Sequence, residues 1–178
     1  MLMRFFKRKL NLFYFLILFG FVPASSQTFP HLKFAIADQF DSLHTEKEYP
    51  GTVTILVGSD RTGSQFNRIW EGAIRDSLRN QFDSTQVKIL RVANVSSVPF
   101  FLKGLVKGKF PQDNNERVLL DWKGYFPKAY GFVEDVCNIV IFDGNGAVVY
   151  KTSAQGIDNK KLSEVCDRIL RIVPRPRH

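Results

Sequence analysis

The sequence predicts an α/β domain, a central mixed sheet flanked by helices, and three stretches carry that prediction. Residues 52–57 (TVTILV) form a β-branched and apolar run, the composition of a strand buried on both faces. From Gln65 the spacing becomes helical, with Phe66, Ile69, Trp70, Ala73, Ile74 and Leu78 on one face. Residues 138–142, the turn Asp143-Gly144-Asn145-Gly146 and residues 147–150 read as a β-hairpin. The first two stretches make half of a β-α-β unit, and the hairpin adds antiparallel strands, so the sheet is mixed.

The N-terminal part reads as a targeting segment. Residues 1–9 carry Arg4, Lys7, Arg8 and Lys9 and no acid, and residues 10–22 are almost wholly apolar. Pro23-Ala24-Ser25-Ser26 then supplies small residues before Gln27. A positive start, a short apolar run and an A-x-S site make a secretory signal peptide over 1–26, cleaved near Ser26. An uncleaved membrane anchor is the competing reading, but the run is well short of the ~20 residues a spanning helix needs. No cysteine follows the run, which excludes lipoprotein processing. The expectation is one exported domain over 27–178, periplasmic or secreted, with no stable membrane insertion once the signal is gone.

Composition narrows the function classes. The formal charge is +8, but without residues 1–26 there remain 21 Lys and Arg against 17 acids, a surplus of only +4. No basic run is interleaved with aromatics, so nucleic acid is not an expected partner. Two cysteines in an exported chain do not make a disulfide scaffold. His31, His44 and His178 lie far apart without metal-ligand spacing, so neither a metal nor another cofactor is expected.

Taken in order, residues 34–37 read as an edge strand and Asp38-Gln39-Phe40-Asp41 as a turn. Gly58-Ser59-Asp60-Arg61 breaks the first core strand. After the first helix and a polar break at 80–85, residues 87–93 alternate as a second strand. Residues 98–110 have helical spacing through Phe101, Leu102, Leu105 and Val106, with Lys103, Lys107 and Lys109 among them. A membrane-surface helix is one reading of these residues. The favoured one is a connecting helix packed on the sheet with solvated lysines. Residues 118–121 make a short strand, and 125–130 a helical turn ended by Gly131. Asp158 caps a last helix whose apolar face is Leu162, Val165, Cys166, Ile169 and Val173.

This order, a parallel pair, then an antiparallel hairpin and a closing helix, is the thioredoxin-like arrangement. FAIADQF, TVTILVGSDRTGSQFN, KILRVAN, VLLDWKGYFPKAYGF and NIVIFDGNGAVVYKTSAQ resemble the successive blocks of thioredoxin-fold proteins. Among them the chain looks most similar to the YtfJ-type periplasmic branch, related to TlpA-type thiol-disulfide oxidoreductases and redoxins. Active relatives carry a Cys-x-x-Cys at the loop opening the first helix, where the helix N-terminus and nearby cations lower the attacking thiol's pKa, and the YtfJ-type branch lacks that pair. Thr62-Gly63-Ser64-Gln65 stands there instead. The family's cis-proline before the hairpin is likewise replaced, by Cys137 between Val136 and Asn138. The resemblance therefore implies the fold and the compartment without the dithiol reaction.

In open α/β sheets, ligands sit just outside the carboxyl ends of the strands, which here is Asp60 to Gln65. Thr62 with Gln65 three residues later fits a T-x-x-Q capping box. The candidate binding residues are Asp60, Arg61, Thr62, Ser64 and Cys137, taking an unknown protein or a small anionic ligand at open helix-start amides beside Arg61. Val133 and Val136 would supply apolar contact there. A redoxin-like reductase or peroxidase using Cys137 is the alternative, and a small buried core residue is the plainer reading of that cysteine.

Overall fold

The computed structural model describes residues 31–81 and 85–173, so the expected signal peptide and His178 lie outside the described residues. The main sheet is five-stranded: β3 (Val53–Ser59), β4 (Val87–Asn94), β5 (Leu119–Asp121), β6 (Cys137–Phe142) and β7 (Val148–Ala154), in spatial order β5-β4-β3-β6-β7. β3, β4 and β5 run parallel, and β6 and β7 add antiparallel on the other side. The helices are α1 (Ser64–Ser77), α2 (Lys103–Lys107), α3 (Tyr125–Tyr130) and α4 (Asn159–Ile172).

β3 is central and every one of its residues is buried. Its alternation feeds two cores. Val53, Ile55 and Val57 pack with Trp70 and Ile74 of α1, Val165 and Ile169 of α4, and Cys137, Ile139 and Ile141 of β6. Leu56 faces the other way, into a cluster with Val92, Val140, Phe142, Phe126, Tyr130 and Phe34. Asp158 caps α4 as expected, accepting hydrogen bonds from the amides of Lys160 and Lys161. Gly131 ends α3 with φ +68°, where a Cβ would be strained.

Several expectations need correction. Gly58 and Ser59 belong to β3 rather than to a break after it. A Cβ on Gly58 would come within 2.9 Å of the Phe132 ring, so the glycine lets the strand run on beneath that ring. Residues 34–37 do not edge the main sheet. β1 (Ala35–Ala37) pairs antiparallel with β2 (Leu43–Thr45), a strand too short for alternation to show, and meets β5 through the single bridge Asp38–Leu119. On α1, Ile69 is exposed, while Glu71, absent from the expected face, is buried. Its carboxylate accepts from Arg91 Nε at 2.7 Å, Arg91 Nη2 at 2.8 Å and Arg75 Nε at 2.9 Å. Burial pushes the Glu71 pKa up, but the bonds from Arg91 and Arg75 outweigh it and hold it below the usual value. A charge can lie inward here because guanidinium groups meet it. Residues 98–110 also differ: a 3-10 turn (Phe100–Leu102) leads into α2, and neither contains a buried residue.

The β1–β2 hairpin is strapped to β5 by polar groups. Asp38, fully buried, accepts from the amides of Phe40 and Ser42, from Arg117 Nη1 at 2.6 Å and from His44 Nε2 at 3.0 Å. His44 Nδ1 lies 2.9 Å from Glu48 Oε2, so both ring nitrogens face carboxylates and the doubly protonated ring satisfies both. Burial works against the charged ring, yet the bonds to Glu48 and Asp38 prevail and raise its pKa above 6.5. Its stabilisation is therefore fully present below 6.5 and lost as pH rises through the raised value. Asp38 and Glu48 are held below the usual carboxylate range, so their share is lost only as pH falls through those lowered values. Stability by chemical denaturation should thus decline as pH rises above 6.5 in the parent and decline less in His44→Gln. An unchanged slope in the variant would assign the titration to another group.

Candidate functional site at the carboxyl end of the sheet

The site residues lie where β3 gives way to α1. Asp60 ties this loop at both carboxylate oxygens: Oδ1 accepts from Gly63 N at 2.8 Å, and Oδ2 accepts from Asp135 N at 2.9 Å. The second bond crosses to the segment before β6, so loop 60–64 and residues 134–137 meet. They meet at backbone distance. A Cβ on Gly63 would stand 2.4 Å from the Val136 carbonyl oxygen, a separation no side chain tolerates. Asn138 fixes the facing segment: its Oδ1 accepts from Val133 N at 2.8 Å and its Nδ2 donates to Val133 O at 2.9 Å. Asn67 donates to Ser59 Oγ at 2.9 Å, joining α1 to the end of β3.

The expected capping box does not form. The helix enters through Gly63, which already has helical dihedrals, φ −68° and ψ −18°, and no side-chain cap. Gln65 Nε2 donates to the Thr62 carbonyl at 3.1 Å, and Ser64 Oγ donates to the Arg61 carbonyl at 2.7 Å. Asp60 does the work assigned to Thr62, because its carboxylate reaches Gly63 N and carries the charge a helix start favours. The amide cradle expected for an anion is in part already filled.

Of the five candidates, Arg61, Thr62 and Ser64 are exposed at the rim, and Asp60 is locked between the two segments. Cys137 is removed from the list as a contact residue. It is fully buried in the core with Val57 and Trp70, because the first residue of β6 points inward against α1 and α4. Burial alone pushes its thiol up to about 12. Cys166 is also buried on α4 with a raised pKa, and both cysteines are free. Gly63, Asp135 and Asn138 are the site residues that the sequence reading missed. Asn138 had left a signal, a lone amide inside the apolar run CNIVIF.

Among the described residues no group of three or more His, Cys, Asp and Glu could hold a metal ion, and no helix is long and apolar enough to cross a membrane. No protein-family model and no curated protein matches the chain. Solved structures do. A SCO1/SenC family lipoprotein from Bacillus anthracis superposes with a TM-score of 0.55 at 14% identity, covering 83% of this chain and 97% of that one. The exposed lipoprotein thioredoxin of Streptococcus pneumoniae gives 0.54 at 15%, covering 76% and 98%. The thioredoxin domain of a thiol-disulfide oxidoreductase from Bacteroides vulgatus gives 0.53 at 12%, covering 80% and 97%. The chain has the thioredoxin-like fold. Within that fold, the loop from Asp60 to Gln65 faces residues 134–137 with no sulfur on either exposed surface.

Proposed function

We propose that this is an exported thioredoxin-fold protein that works in the cell envelope as a binding or accessory module, without dithiol chemistry, akin to the YtfJ-type branch. One observation carries the reading: the helix-opening loop has no thiol, and the nearest candidate sulfur, Cys137, is sealed in the core with its pKa pushed up to about 12. A mixed disulfide needs a thiolate to attack and a second thiol to resolve it. A hydroxyl at Thr62 or Ser64 does neither. Export is supported by the signal-like residues 1–26 and by the likeness to two proteins described as lipoproteins.

The partner, a protein or a small anionic ligand, would meet Arg61, Thr62 and Ser64 at the loop rim, with the exposed Val133 beside them. Asp60 belongs to the scaffold of that rim rather than to its contact surface, since both its oxygens are engaged within the chain. The test is thiol labelling of the protein before and after unfolding. Neither Cys137 nor Cys166 should react at an appreciable rate when folded, and both should react once denatured. A thiol that reacts rapidly in the folded state and disappears in Cys137→Ser would favour the redoxin alternative.

A further inference from the structure

The connection between β4 and β5 carries an apolar, basic protrusion that neither core absorbs. Residues 98–110 read VPFFLKGLVKGKF, with three lysines and no acid. Phe100 and Phe101 are each 81% exposed and Leu105 is 65% exposed. Single exposed apolar side chains are ordinary on a protein surface, whereas several together mark a place of contact. A Cβ added at Gly104 would meet nothing within 4 Å, and neither the 3-10 turn nor α2 contains a buried residue. Lys103 Nζ lies 5.0 Å from the Phe100 ring centroid and 4.9 Å from that of Trp122, Lys107 pairs with Asp41, and Lys109 is exposed.

We propose that this protrusion docks the domain on an anionic lipid surface. Phe100, Phe101 and Leu105 enter the boundary between headgroups and acyl chains, and Lys103 and Lys109 meet the headgroup phosphates. Exposure and charge together select this occupant. Three exposed apolar side chains lie among lysines, the composition that suits the boundary of a fluid anionic interface. The segment's charge is of one sign, and an anionic leaflet supplies a diffuse field of the other. Register also sets the orientation. Ser59 pairs with Ala93 and Asn94 with Asp121, so the connection leaving β4 emerges at the same end of the sheet as loop 60–64. A domain docked through Phe100 and Phe101 turns that loop end toward the membrane. None of this depends on whether the loop does chemistry.

Tryptophan emission tests the proposal on the protein as the exporting cell delivers it, whatever remains of residues 1–26. Trp70 is fully buried, so a change on adding vesicles reports Trp122, which stands against Lys103. Titration with phosphatidylcholine vesicles containing phosphatidylglycerol should give a saturating blue shift. Apparent affinity should fall about ten-fold or more with phosphatidylcholine alone or in high salt, as headgroup charge is removed or screened. It should fall about as far in Phe100→Ser/Phe101→Ser and in Lys103→Glu, whose melting temperatures should match the parent because the altered side chains are not core residues. Equal shifts with both vesicle types, or parent-like binding by the phenylalanine variant, would overturn the proposal. So would self-association of the parent that the phenylalanine variant abolishes in the absence of lipid, since the patch would then be covered by a second copy.

Discussion

Glu71→Ala is expected to destabilise the domain by about 3 kcal/mol, near the lower end of the cost of breaking a buried ion pair. Glu71 receives both Arg91 Nε and Arg91 Nη2, at 2.7 and 2.8 Å, where α1 packs on β4. Removing it strands the Arg91 guanidinium under the helix. The side chain of Arg91 is 30% exposed, so water recovers part of its hydration and keeps the loss from the upper end of the range. Glu71→Gln keeps the acceptor oxygen without the charge and should lose less. Urea denaturation of the three proteins measures both differences. A loss under about 1 kcal/mol for Glu71→Ala would mean that solvent already serves Arg91 and the pair holds little.

Gly63→Ala is expected to cost about 1–3 kcal/mol, as an overpacked site does. Here the obstacle is a backbone carbonyl 2.4 Å away rather than the end of a flexible side chain, so relief requires loop 60–64 to separate from residues 134–137. The Asp60–Asp135 bond spans that seam and should weaken with it. Amide exchange at Asp135 should therefore speed up along with the loss of stability. A variant as stable as the parent with unchanged exchange would show that the two segments are not held together.

How much of this was legible in the sequence depended on how local the physics was. The helix cap at Asp158, the left-handed stop at Gly131 and the turn 143–146 are each decided by a few neighbouring residues, and each is found where the pattern puts it. Periodicity located the face of α1 but misassigned Ile69 and Glu71. Polarity alone cannot reveal that Arg91, twenty residues on, turns Glu71 inward. The same limit governs the site. A T-x-x-Q string is compatible with a capping box, yet the cap comes from Asp60, which also spans 75 positions to Asp135. The segment 98–110 failed differently: its apolar spacing was real, but spacing does not say whether a surface is at hand to cover it. Phe100 and Phe101 stay in the open.

The central claim, a thioredoxin-like frame with no working thiol at its site, is tested most directly by insulin disulfide reduction in the presence of dithiothreitol. The parent should precipitate insulin no faster than the reductant alone, and Cys137→Ser should be indistinguishable from the parent. Turnover above the reductant blank that disappears in Cys137→Ser would contradict it, because a thiol sealed beneath α1 and α4 would then be reaching substrate.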